Sequence, residues 1–538
     1  MVEILVLVIA PVANAIEIKQ QGPVIPVEPV TIALSTVKKP ESSQQNLNLQ
    51  PVATKTEKQS ISTGSVEQNA LKLTFKEAIF LALRNNAKIQ SAEIARISQK
   101  YAVVVAKHSF QPHYFLQGSY QYFSSTDNRD RDSYKHSANA FDVQPKASLL
   151  TPYGTELGLS MNNPISKDDR YREWKHTPSL TFEITQPLIR GFGRDVVEAS
   201  LNNVLDTEEI NKLHLKDTVS DTINTVIYDY INLARAVEAL KISQVSLKSY
   251  QSFVKRAKAL IEAGRMAKND IIQIEAQVAW QDSIIEDHKN ELMQAQGKLL
   301  NTLGLDNQTN IQLPEVINYD EIANIFMEKN TLPSVDICKK FVLTSNTDYR
   351  ILGITLRTLG RSLLVAKDGT NWKLDLIASA TRHGKKDYED SGINNLFKNK
   401  EHDEKIALNL NISIDDVNAK KAVIDAQVSL DQAKVSYHQL KRQLELDIAT
   451  IHNSVINAKK QLGLSQQALK LQYQSLAAAE LKYNAGRVSS YELLTNQKDL
   501  TMINQRVVDN QVNYINMLTA FSKMLGETLS RLDIKLTY

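Results

Sequence analysis

Two stretches of the sequence repeat apolar residues every seven positions for longer than a compact domain can use. In the second, Leu444, Ile448, Ile451, Val455, Ala458, Leu462, Ser465, Leu469, Gln472, Leu476, Ala479 and Tyr483 follow alternating steps of four and three. The first shows the same steps from Val219 through Ile223, Val226, Tyr230, Leu233 and Val237 to Leu240. A seven-residue period marks helices packed in coiled-coil fashion against neighbours. Each stretch reads as a helix of about 70 residues, which at about 1.5 Å per residue reaches roughly 100 Å. A helix of that length spans a distance rather than filling a core.

Both stretches end in the same tripeptide. Ala-Gly-Arg begins at Ala263 and again at Ala485, each time between helical segments. The surrounding order is also repeated: a helical segment, a β-rich region, a long helix, the Gly-containing break and a last helix. This predicts a duplicated chain. A signal peptide (1–15, ending in Ala13-Asn14-Ala15) leads into a disordered Pro/Ser/Gln-rich linker (16–70). The first structural repeat is 71–303, with strands over about 112–189, and a linking segment covers 304–333. The second repeat is 334–526, with strands over about 372–414, and 527–538 is a C-terminal tail. The first helical segment is expected to run unbroken from Thr74 to about Ser109.

The β-rich segments change to a period of two. Leu180, Phe182 and Ile184 alternate with Thr181, Glu183 and Thr185, and Leu408, Leu410, Ile412 and Ile414 with Asn409, Asn411 and Ser413. Tyr114, Leu116, Tyr120 and Tyr122 likewise share one face against Gln117, Ser119 and Gln121. Strands with one apolar and one polar face suit a soluble sandwich or a membrane barrel with a wet lumen. Asn409 and Asn411 would be costly in a dry core, and a water-filled interior accepts them. About four strands are strongly patterned, with two more possible over 142–162 as barrel strands or an external loop. A bacterial membrane barrel needs about eight strands, and no open edge can face lipid. Strands in a membrane would therefore require several chains to share one barrel, which favours a cyclic homo-oligomer.

Composition excludes other classes. No internal stretch approaches the roughly 20 apolar residues of a spanning helix, which rules out an inner-membrane transporter. A net charge of +3 with mixed signs along the helices leaves no nucleic-acid footprint. The single cysteine, Cys338, permits neither a disulfide framework nor a thiolate metal site within one chain. There is no His-Glu-x-x-His or Gly-x-Ser-x-Gly, and Gly191 and Gly193 in "RGFGRD" lack the third glycine of a dinucleotide fingerprint. "DNRDRD", Asp127 to Asp132, lacks the glycine and glutamate of a calcium loop and reads as a solvated loop between strands. No enzyme, cofactor or metal is expected.

The order and spacing of "LTFKEAIFLALRNNAKIQ", "LTFEITQPLIRGFGRDV" and "YNAGRVSSYELLTNQKDL", within the duplicated pattern over about residues 71–530, resemble the TolC family of outer-membrane efflux and secretion channels. The resemblance implies a mainly α fold with a membrane β part. Duplicated long helical hairpins would form a trimeric α-barrel tunnel through the periplasm, continuous with a shared outer-membrane β-barrel of twelve strands. It implies a homotrimer in outer-membrane lipid, served by a periplasmic adaptor protein and an inner-membrane efflux pump or ABC exporter. Gly264, Arg265, Gly486 and Arg487 would be the hairpin-tip residues that dock the adaptor, and Asp270, Tyr483 and Glu492 would form the periplasmic constriction. Where a second acid is often expected, this chain has Gln273 and Thr495, which implies a weaker acidic ring. On the residues alone, Asp270 and Glu492 also fit ordinary first-turn acids favoured by the helix dipole. A periplasmic coiled-coil scaffold without a pore is the alternative architecture.

Overall fold

The computed structural model describes residues 32–34, 71–129, 132–168, 174–314, 317–327, 332–384, 396, 400–485 and 487–538. The expected signal peptide (1–15) and, apart from 32–34, the linker (16–70) lie outside the described residues. Ile32–Leu34 pairs antiparallel with Ile534–Leu536 near the C-terminus.

The first repeat opens with α1 (Phe75–Asn85), started by a capping box in which Thr74 and Glu77 satisfy each other's backbone N–H groups. The helix expected to continue to Ser109 is broken: Asn86 is extended (ψ 124°), and α2 (Ala87–His108) starts anew. The Asn86 side chain accepts from Lys88 N and Ile89 N, offering the backbone a cap in place of one more helical turn. The long hairpin follows as α3 (Ala199–Glu262) and α4 (Asp270–Leu303). After a short α5 (Tyr319–Phe326), the second repeat gives α6 (Val335–Ser345), α7 (Thr347–Asp368), α8 (Val417–Asn484) and α9 (Ser490–Met524). The break between α6 and α7 falls at Asn346, which caps Tyr349 N as Asn86 caps α2. All twelve residues of the α8 heptad series are buried or half-buried, as are the seven of α3.

The main core lies midway along the long helices. It joins Phe75, Ile79 and Ala82 of α1, Ile223, Val226 and Tyr230 of α3, Ile448 and Val455 of α8, and Ile515, Leu518 and Phe521 of α9. Toward the strands the helices run side by side in the order α2, α3, α7, α8. Charged contacts pin this layer, among them Arg96 of α2 to Glu208 of α3 and Arg361 of α7 to Asp206 of α3. Arg96 is 2% exposed, so its carboxylate partner is required for burial rather than optional.

The strands between residues 113 and 411, apart from Ile311–Gln312, form one antiparallel sheet. β1 (His113–Arg129) and β2 (Asp132–Leu150) make a long hairpin. They run well into "DNRDRD", where a loop was expected, and leave only residues 130–131 outside the description. β3 (Glu156–Asn162) and β4 (Pro164–Asp168) pair with β2 in one unbroken register, so they act as a single third strand. At the join Asn163 N donates to the Asp142 side chain instead of to a backbone carbonyl (3.0 Å). β5 (Lys175–His176) and β6 (Ser179–Pro187) form the fourth strand in the same way. β7 (Lys373–His383) pairs with β6, and β8 (His402–Asn411) pairs with β7. The described residues of one chain thus supply six strands to this sheet, the four strongly patterned ones and the two left open over 142–162. The segment 142–162 lies in the sheet, not in a loop. Pro145 and Pro164 cannot donate to the ladder and blur the alternation by which such strands are read.

The repeat is also written in glycines that the tripeptide does not include. Gly304 closes α4 at φ +68°, where an added Cβ would sit 2.4 Å from Asn85 O. Gly526 closes α9 at φ +70°, and its Cβ would sit 2.9 Å from Ser345 O. Each repeat therefore ends with a left-handed glycine tucked beneath the carbonyl just before its capping asparagine. Gly304→Ala should lower the thermal midpoint of the purified protein by several degrees, since the strained backbone alone costs about 1–3 kcal/mol. Gly360→Ala, in open space inside α7, should leave the midpoint unchanged or raise it slightly. Circular dichroism melts of the two variants in the same detergent would compare them.

Candidate functional site

The two helical hairpins turn at the same end of the molecule. At the first tip the Gly264 φ of +67° ends α3, and Arg265 N bonds back to Leu260 O at 2.8 Å. At the second, Arg487 N bonds back to Lys482 O at 2.9 Å, the same closure one repeat later. Gly486 lies outside the described residues. Arg265 and Arg487 are both exposed at the turns. The helices that follow begin with the two acids. Asp270 is the first residue of α4. Glu492 lies in the first turn of α9, where its N–H donates to the Ser489 hydroxyl. Both carboxylates are exposed, and both sit at the positive end of a helix dipole.

Tyr483 is placed differently. It is 8% exposed and its hydroxyl points to Met266 Sδ at 3.8 Å, linking the second hairpin to the turn of the first. Burial pushes its phenol above the usual tyrosine range, with Arg256 opposing and Asp270 adding to the shift. Asp270 and Tyr483 are thus electrostatic neighbours within one chain. Glu492 does not enter that pair.

Around Tyr483 the sequence reading missed a small apolar cluster that joins all four helices. Tyr250, Phe253 and Ala257 of α3, Ile274 of α4, Ala479 of α8 and Leu493 of α9 pack with it. The Arg256 guanidinium lies over the Phe253 ring at 4.7 Å and reaches Glu480 at 3.5 Å. Just behind this cluster the contacts between hairpins turn polar. Ser246 meets Thr501 (2.9 Å) and Ser249 donates to Gln497 (3.0 Å), while within the second hairpin Gln472 donates to Asn496 O (3.1 Å). The sequence carries one trace of this layer, the polar Gln472 at a heptad position.

At the other end, the sheet has two chemically distinct faces. Register aligns Leu149, Leu157, Ile184, Ala378 and Ile406 in one row across five strands. On the opposite face His113, Ser148, Gly158, Glu183, Ser379 and Lys405 align across all six. The alternation read from the sequence therefore carries across the strands in these two rows. The apolar face is open: Tyr120 is 66% exposed, Leu408 64% and Ile406 81%. Among the described residues the sheet ends in two unpaired edges, β1 and β8. No described helix is long and apolar enough to cross a membrane, and no described cluster of side chains could hold a metal ion.

No curated protein matches the sequence. Residues 365–527 match the family model of the outer membrane efflux protein. The fold resembles the open state of the Neisseria gonorrhoeae MtrE outer membrane channel (TM-score 0.62, 15% identity, covering 92% of this chain and 98% of that one). It also resembles the Campylobacter jejuni CmeC outer membrane channel (TM-score 0.60, 14% identity, 90% and 94% covered). A third similar structure is CusC (TM-score 0.61, 16% identity, 86% and 95% covered). The match to the outer membrane efflux protein family thus lies in the second half of the chain, and the chain as a whole carries the fold of the TolC-like outer-membrane channels.

Proposed function

We propose that this chain is one third of a passive exit channel. Three copies share an outer-membrane β-barrel and a helical tunnel through the periplasm, and the protein does no chemistry of its own. Small toxic molecules or secreted proteins enter at the hairpin tips from an inner-membrane efflux pump or ABC exporter, joined through a periplasmic adaptor. Gly264, Arg265, Gly486 and Arg487 form the adaptor-facing tips. Asp270, Tyr483 and Glu492 form the constriction, where three copies bring the acids into rings that favour cations.

The observation that carries this reading is the sheet. It is apolar on one face, polar on the other, and open at both edges, an arrangement that lipid outside and water inside would complete. The helical layer repeats the logic. Its outer members, α2 and α8, leave Ile94, Ile97, Tyr101, Val428 and Val435 exposed, which a second copy at each side would cover. A pore-free periplasmic scaffold would need a second layer over the apolar face, and no described helix packs there.

Cell fractionation should recover the protein in outer membranes, and detergent should release it as a trimer. A monomer soluble in plain buffer would end this reading. In planar bilayers, replacing both Asp270 and Glu492 with alanine should enlarge single-channel conductance and reduce cation selectivity. Unchanged values would remove the two acids from the constriction. Tyr483→Ala should open the tip more often, because truncating a buried aromatic loosens its cluster by about 3–5 kcal/mol. Tyr483→Phe keeps the packing and should behave nearly as the parent. Equal leakage from the two would assign the effect to the hydroxyl instead.

A further inference from the structure

Four of the six strands continue directly into the helical layer. β1 follows α2, β6 leads into α3, β7 follows α7 and β8 leads into α8, and the sheet order β1, β6, β7, β8 is that of the helices. β2 and the strand formed by β3 and β4 continue into no helix. They are a hairpin inserted into the sheet between β1 and β6.

The insertion is fastened at the tunnel end rather than hung from the sheet. Its turn, Thr151 to Thr155, is closed by Thr151 N to Thr155 O at 2.9 Å. Gly154 (φ +89°) lies so close to the turn between β6 and α3 that an added Cβ would be 2.5 Å from Gly191 O. Gly193 N donates to Tyr153 O at 3.4 Å, and the Thr155 hydroxyl bonds the Gln186 side chain. Its faces also agree with those of the wall. Leu157 and Leu159 continue the apolar rows, while Asp142, Gln144, Lys146 and Ser160 lie on the polar side.

We infer that the β2–β3 hairpin is part of the barrel wall, so three copies close a barrel of eighteen strands instead of the family's twelve, with an exit as wide as the helical tunnel. This rests on the trimeric channel reading above. Six strands from each of three chains, spaced about 4.8 Å apart and tilted about 40°, give a circumference of roughly 110 Å. Four helices from each chain, about 9–10 Å apart, give roughly 110–120 Å. Twelve strands at the same tilt would reach only about 75 Å and would narrow the duct where it enters the membrane. With eighteen, the wall continues the tunnel without a step. Size selection then falls to the tip constriction, and the exit passes bulky hydrated cargo that a narrower barrel would hold back.

Electron cryomicroscopy of the full-length trimer in lipid nanodiscs would count the strands. Eighteen, with residues 142–162 in the wall, is the expected result. A twelve-strand wall with that segment outside it or folded into the lumen overturns the inference while leaving the channel intact. Failure to find any membrane trimer would remove the proposed function itself, and this inference with it. Single cysteines give an independent reading, since native Cys338 is buried. In the wall, Ser160→Cys should react with a membrane-impermeant maleimide from the lumen. Leu159→Cys should react only with a lipid-soluble one. Equal labelling of both by the impermeant reagent would place the hairpin outside the wall and overturn the inference.

Discussion

An unpaired backbone N–H or C=O has no partner in hydrocarbon, and each one left there costs several kcal/mol. The free edges of β1 and β8 present two such rows on every chain. The two edge strands run in opposite directions, β1 away from the helical layer and β8 toward it, so the edge of one copy can pair antiparallel with the next. Closure of the ring satisfies both rows at once. Because β1 and β8 are joined to α2 and α8, the same closure brings the outer helices of adjacent chains together. In the proposed trimer, the barrel and the tunnel are then consequences of a single pairing requirement.

The duplication sets how the helices reach that geometry. In each repeat a short helix stops at an asparagine, a second helix leads to the sheet, and the returning hairpin ends in a glycine pressed against the carbonyl before that asparagine. Asn86 adds a cross-link of its own, its Nδ2 donating to Thr302 O at 2.7 Å. These junctions fix the level of the core along helices some 96 Å long, estimated at about 1.5 Å per residue over the 64 residues of α3. Without such a stop, heptad packing would tolerate a slip of one heptad, about two turns, because its contacts repeat along the axis.

What was legible in the sequence follows from which physical signals are periodic. Heptads and strict alternation survive in single residues, so α3, α8, β6 and β8 could be read directly. The break at Asn86 was hidden because the apolar period continues across it and only the side-chain cap marks the change. β2 and β3 were half-hidden because prolines and small residues, Pro145, Ala138, Ala140 and Gly158, interrupt the pattern that a wall needs only on average. At the tips, the glycine turns were visible as a repeated tripeptide. The link between Tyr483 and Met266 was not, since the two residues lie 217 positions apart and nothing local connects them.

The distribution of contacts between the hairpins bears on how such a tip could open. Between the main core and the tip, the facing groups of α3 and α9 are hydroxyls and amides, such as Ser246 with Thr501 and Ser249 with Gln497. Each exchanges its partner for water at a net cost of only about 1 kcal/mol, so separating them is cheap and reversible. The tip cluster around Tyr483 and Phe253 is apolar again, and exposing it costs more per residue than exposing the polar layer. Under the proposed gating, opening of the hairpins beyond the main core is therefore resisted mainly at the tip. An adaptor that covered the exposed apolar side chains of the opened tip would remove that resistance where it binds. Such differential binding is what any ligand-driven shift between two states requires.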